Sequence, residues 1–389
     1  MKGEDNKKKV GKTNRRDFFK SATGSAVIFP AVFSGCFAEN NISAISSKAN
    51  VLDEALQIMA DIGPLSNHGP MAAEALIALG KEENVVSFSR IYSKFYPVPY
   101  PRKRKPVNSE NWKDAIGQGD RAADWADFFI NEIRAKNWKD VLKGWINVLA
   151  PGLSAAAAHG LIRTGHAIRS LERTDNETRR EELGKGLGYW AAYFQKLPES
   201  VEKSEIKFSP LEAIEKVPQI NPEKVKNTRS IMGKIKALEE FPEFSPVINF
   251  IDEKGEAEKI ISEITETFAT IYVRHANGNN HIGLIHSVTG PAMVRSIIPY
   301  LRSEEIENLI RYAWQLGAGI FAVSGKSTVN EEENEAGIKA EDLIEKAAAS
   351  NEVHAIKFTE ACLREFKINP KPIYLKAAKD ALGRLGSVG

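Results

Sequence analysis

From residue 51 onward, apolar side chains return every three to four positions in almost every segment, and almost nowhere do they alternate with polar ones. That period turns one face of a helix toward a core, which commits the chain to helix-on-helix packing. The pattern predicts helices over Val51–Ala60, Met71–Leu79, Arg121–Arg134, Trp138–Leu149, Leu153–Leu171, Glu177–Gln195, Ala257–Ala276, Pro291–Leu301, Ser303–Val323, Glu341–Ala349, Glu352–Phe366 and Lys371–Leu385. Pro97–Pro106 reads as a rigid basic loop, 199–226 as a charged, proline-broken surface excursion, and Gly325–Gly337 as an exposed loop. No fixed repeat is visible. The expected fold is all-α, one large multi-helical domain over residues 51–389.

Charge divides the chain unevenly. Eight of its 53 basic residues fall in the first twenty positions, whereas the chain from Cys36 onward is slightly acidic. A mildly acidic body without a basic stripe argues against nucleic acid as a partner. The absence of an 18-residue apolar run argues against a membrane-spanning helix. Residues 1–36 read as a targeting segment: Asn14-Arg15-Arg16-Asp17-Phe18-Phe19-Lys20 precedes the short apolar stretch Ala22–Phe33. This is similar to a twin-arginine export signal, with Asn14 and Phe19 replacing the usual residues. Ser34-Gly35-Cys36 is also similar to a lipoprotein cleavage box, which would lipidate Cys36 and leave residues 37–50 as a polar tether. The expected location is the periplasm or cell envelope, reached through the twin-arginine machinery. Cys362, the other cysteine, sits in a helical pattern and reads as a buried, inert thiol.

The histidines carry the chemical signal. His68 lies in an Asn-His-Gly-Pro turn before a helix. His159, Arg163 and His166 share one helix face beside the small residues Ala155–Ala158, and His354 and Lys357 share another. Histidines among small residues on facing helices are the means by which bundles build internal metal sites. His275 and His281, flanking Asn277-Gly278-Asn279-Asn280, read as ordinary structural histidines. Spacing alone leaves two readings of the remaining five, a metal site or core side chains each with one hydrogen bond, because no HExxH or CxxC pattern specifies a metal.

Asn67-His68-Gly69-Pro70-Met71, Ala158-His159-Gly160-Leu161-Ile162-Arg163, His286-Ser287-Val288-Thr289 and His354-Ala355-Ile356-Lys357 follow one another over about three hundred residues. Together they resemble the questin oxidase-like family, formerly a domain of unknown function. The likeness covers essentially the whole chain after the leader. Gly188-Tyr189-Trp190-Ala191-Ala192 and Phe358-Thr359-Glu360-Ala361-Cys362 are similar to its bacterial branch.

Characterised fungal members oxidise polyketide anthraquinones by oxygen insertion or carbon–carbon cleavage. The resemblance implies an internal non-haem Fe(II) site held by His68, His159, His286, His354 and an N-carboxylated Lys357. His166 stands where the fungal pattern has tyrosine, which implies a place beside the site and not on the metal. Arg163 and His166 are the expected catalytic side chains, with Thr289 and Trp190 as further pocket candidates. Arg163 would hold a phenolate; a helix ion pair is the competing role. The implied partners are an aromatic or quinone-like small molecule and O2, with an external reductant such as NADPH left open.

Two rivals accompany the oxygenase reading. A metal-dependent hydrolase with a carboxylated lysine would need carboxylate ligands, and only Glu360 follows closely in the His354 segment. A non-catalytic envelope binding protein would use the histidines as core hydrogen bonders.

Overall fold

The computed structural model describes residues 51–60, 66–95, 105–201, 206–228, 230–326 and 337–385. The leader, the cysteine at its end and the tether to residue 50 lie outside the described residues. So do nearly all of the 97–106 and 325–337 loops.

Among the described residues there is no β-ladder, only the isolated bridges Leu153–Gln195 and Phe208–Ile251. Twelve helices of eleven residues or more make up the frame: α1 (His68–Ala78), α2 (Glu82–Phe95), α3 (Ala122–Ala135), α4 (Trp138–Leu149), α5 (His159–Arg173), α6 (Glu177–Ala192), α7 (Ala257–His275), α8 (His281–Val294), α9 (Ser303–Ser324), α10 (Ala340–Ser350), α11 (Val353–Ile368) and α12 (Ile373–Leu385). They form a single multi-helical domain, and no described helix is long and apolar enough to cross a membrane.

Four of these helices close a ring. α1 packs on α5, α5 on α8, α8 on α11, and α11 returns to α1. Such helices have no solvent face, so their sequences need not be amphipathic: every residue of α1 is buried, as are twelve consecutive residues of α8 from Gly283 to Val294. The remaining long helices form an outer shell, with α6 against α5 and α3 against α6, α7 and α9 flanking α8, and α12 behind α11. The indoles of Trp125, Trp190 and Trp314 are fully buried in that shell, each donating to a backbone carbonyl (Ala115, Gly152 and Val247) at 2.8–3.2 Å.

Two predicted boundaries need correction. Leu153–Leu171 is not one helix. Helix α5 begins at His159, and Ala156, Ala157 and Ala158 before it hold left-handed φ angles of 47°, 57° and 69°. Alanine is a strong helix former, yet here tertiary packing overrides it. Gly290 of α8 lies so close that a Cβ there would stand 3.2 Å from that of Ala158. The second correction concerns Pro291, read as a helix start. Helix α8 runs through it from His281 to Val294, sustained by neighbours on all sides despite the missing N–H. The 199–226 excursion is also less superficial than its charge suggests, since Ile214, Ile220 and Val225 are buried. Cys362 is buried as expected, and burial pushes its thiol pKa well up.

Candidate metal centre

The ring of four helices brings one histidine from each member to a common centre. His68 is the first residue of α1, His159 the first of α5, and His354 the second of α11, while His286 lies one turn into α8. Around the ring the imidazole centres stand 4.9 Å apart for His68–His159 and 5.3 Å for His159–His286. The circuit closes with 6.4 Å for His286–His354 and 5.6 Å for His354–His68. All four side chains are at most 5% exposed.

The backbone that presents these residues is strained. Ser66 and Asn67 are left-handed immediately before His68, as are the three alanines before His159, and Asn351 is left-handed at the end of α10. Asparagine tolerates this region, but a left-handed alanine costs about 1–2 kcal/mol. Strain held next to aligned polar groups is a mark of a functional site.

Three of the rings are tied through Nδ1. His159 donates to the Ala156 carbonyl, His286 to the Ile282 carbonyl at 2.6 Å, and His354 to Glu352 Oε1 at 2.6 Å. A donor on Nδ1 leaves Nε2 as a bare lone pair, the form in which imidazole binds a metal. Nε2 of all three is buried without a hydrogen-bond partner, as are His68 Nδ1 and Lys357 Nζ. Buried polar atoms are almost always satisfied, and five orphans at one centre make it the candidate place for a shared partner. Burial drives the pKa values of His68, His159 and His286 well below the ordinary imidazole value, with Lys357 adding to the effect. Burial thus favours the neutral imidazole in these three. Lys357 is 0% exposed, and burial takes its amine well below the usual lysine pKa.

An imidazole bound at about 2.1 Å puts its ring centre roughly 3.2 Å from the ion, so neighbouring rings on one ion are about 4.6–5.3 Å apart. The observed ring is slightly wider than that. As placed, no group of three or more His, Cys, Asp or Glu among the described residues stands in ready ligating position. The donor chemistry and the orphaned atoms nonetheless fit a metal.

A family model described as questin oxidase-like matches residues 65–362. The chain belongs to the questin oxidase-like family. The matched span is most of the chain and includes every residue of the centre. Membership supports an oxidase- or oxygenase-like function. No match was found among curated proteins.

The other expected site residues separate. His166 lies two turns along α5 from His159 and donates through Nδ1 to Glu74 Oε2 at 2.5 Å; its own Nε2 is buried and unpartnered. It is near enough to Lys357 for their charges to interact. Arg163 is also fully buried, but Glu182 takes its guanidinium in a two-pronged pair at 2.6 and 2.8 Å. A substrate anion would have to displace a buried carboxylate there, so the geometry favours the ion-pair role over the phenolate-holding one. Thr289 donates to the Ile285 carbonyl and Trp190 to that of Gly152, both as structural bonds. His275 packs on Phe321, outside the ring.

Sequence reasoning missed Glu352 and Glu74. Glu352 caps α11, its Oε2 accepting from the Ala355 N–H at 2.6 Å while Oε1 holds His354. Burial opposes its ionisation, yet His354 and the helix N–H keep its pKa below the usual value. An acid at an N-cap two residues before a histidine was a legible signal. Glu74 lies on α1 and binds His166, Arg169 and Arg173. Nothing local to residue 74 announces those partners, which are about a hundred residues away.

Proposed function

We propose that the protein is a non-haem iron oxygenase acting on an aromatic or quinone-like small molecule. The observation that carries this reading is the set of bare Nε2 atoms on His159, His286 and His354, gathered with His68 and a buried, unpartnered Lys357. These five residues would hold the ion. When bound, Fe(II) supplies the one-electron chemistry toward O2 that no side chain provides, and imidazole ligands suit that metal.

The protein's own groups have definable tasks. The Nδ1 hydrogen bonds of His159, His286 and His354 select the ligating tautomer and hold each ring in orientation. Lys357, whose neutral amine burial favours, would be a nucleophile for CO2: its nitrogen lone pair forms the N–C bond as a C–O π pair moves onto oxygen, one N–H proton is released, and the product is an anionic carbamate oxygen donor. That anion offsets the partial positive ends of α1, α5 and α11, which all begin at the centre. His166, oriented by Glu74, is placed to exchange a proton beside the centre through its free Nε2.

The hydrolase alternative is weaker because the nearby buried acids are committed elsewhere. Glu352 is spent on His354 and the α11 cap, and Glu74 on His166 and two arginines. Burial pushes the Glu360 pKa well above the usual carboxylate value, which disfavours the anionic form a ligand needs. Metal analysis tests the proposal. Protein reconstituted with Fe(II) should hold a single iron, and a His354→Ala variant should hold much less. Uptake of zinc alone, or equal iron in both proteins, would overturn it. We also propose export by the twin-arginine route with a lipid anchor at Cys36. Replacing Arg15 and Arg16 by Lys should then retain the protein in the cytoplasm, and normal export of that variant would rule the route out.

A further inference from the structure

A cavity of about 650 Å³ opens beside the first turn of α8. Its walls are the 220–234 segment, the 278–283 turn that starts α8, and the end of α9. The size falls within the roughly 300–1,000 Å³ usual for small-molecule pockets. None of Arg163, His166, Thr289 and Trp190 lines it.

Two wall residues tie the cavity to the metal centre. Ile282 gives its carbonyl to His286 Nδ1, and His281 is close enough to His354 for their charges to interact. The wall is thus about one helical turn, ~5 Å, from a metal-facing imidazole. The lining mixes polar and apolar groups and contains two lysines but no carboxylate. Lys226 is exposed and paired with Glu223. Lys234 differs: it is half-buried, burial alone lowers its pKa, and no carboxylate partner is found for it among the described residues. A cation held half out of water in a cavity without a carboxylate favours an incoming anion.

We propose that this cavity is the substrate-binding site and that its ligand is an organic anion, a phenolate or carboxylate, whose charge is met by Lys234. The assignment of the ligand as substrate rests on the oxygenase reading; the binding site itself does not.

The test uses metal-free full-length protein and equilibrium dialysis with two probes, anthraquinone-2-carboxylate and its uncharged carboxamide. Wild type should bind the carboxylate about two- to fivefold more tightly at low salt, the size of one partly screened charge pair. Lys234→Met should abolish that preference without changing carboxamide affinity, Lys234→Arg should keep it, and the exposed Lys346→Met should change nothing. At Gly283 a Cβ would stand 3.0 Å from Ile231 Cδ1 across the cavity wall, so Gly283→Leu should weaken both probes in protein shown by circular dichroism to be folded. Equal binding of the probes, a preference that survives Lys234→Met, or unaltered binding to folded Gly283→Leu would each overturn the proposal. Iron content of the same preparations separates the two readings. Iron without a probe preference defeats the cavity assignment alone. A Lys234-dependent preference in protein that takes up no iron defeats the oxygenase reading and leaves the anion site standing.

Discussion

Lys357→Met separates a lysine kept for function from one kept for stability. The amine is 0% exposed and Nζ has no hydrogen-bond partner. Methionine fills nearly the same volume without a polar head. Leaving a buried donor unsatisfied costs about 1–3 kcal/mol, so in metal-free protein the variant should be more stable by that amount. At about 2 °C per kcal/mol for a large domain, its Tm should rise by roughly 2–6 °C. The sign has a pH signature. A lysine whose pKa is depressed in the fold takes up a proton on unfolding, so its cost grows as pH falls below the ordinary value of about 10.4 and fades as pH rises toward it. The advantage of Lys357→Met should shrink accordingly between pH 7 and pH 10. The same variant should lose iron, and Lys357→Arg, which cannot be carboxylated, should lose it as well. Thermal unfolding of chelator-treated protein, with metal analysis alongside, reads both effects. A metal-free Lys357→Met protein less stable than wild type would refute the orphan-amine argument. A variant with undiminished iron would show that Lys357 is not a ligand.

Glu352→Gln removes the anionic acceptor from His354 Nδ1 and should weaken metal binding by about 10–100-fold, measured by chelator competition; unaltered affinity would deny Glu352 its orienting role. Metal-free protein should lose stability as pH falls through about 6.5, because His68, His159, His166 and His286 are held neutral in the fold and take up protons only on unfolding. A flat Tm between pH 8 and pH 5 would contradict that burial. Arg163→Met strands Glu182 in the interior and should cost about 3–5 kcal/mol in denaturant titration, with much of the loss recovered by adding Glu182→Leu; an unaffected single variant would show that Arg163 is free for substrate after all.

The helices and the identities of the four histidines were legible in the residues themselves. A 3.6-residue period is a local property, and the motifs around His68, His159, His286 and His354 are contiguous strings. Local order also accounts for the Glu352 cap, which needs only its own helix. The rest depends on contacts between distant segments. Whether four histidines meet is decided by the closure of α1, α5, α8 and α11 into a ring, which no helix periodicity encodes. Helix propensity assigns Ala155–Ala158 to a helix, and the left-handed turn wins because α8 packs against those methyl groups. The role of Arg163 was undecidable from its place on a helix face, since its partner Glu182 reaches it from α6. The cavity beside Lys234 is bounded by segments a hundred residues apart, so the residues that meet an outside molecule there were set by packing, which acts on distances in space and not along the chain.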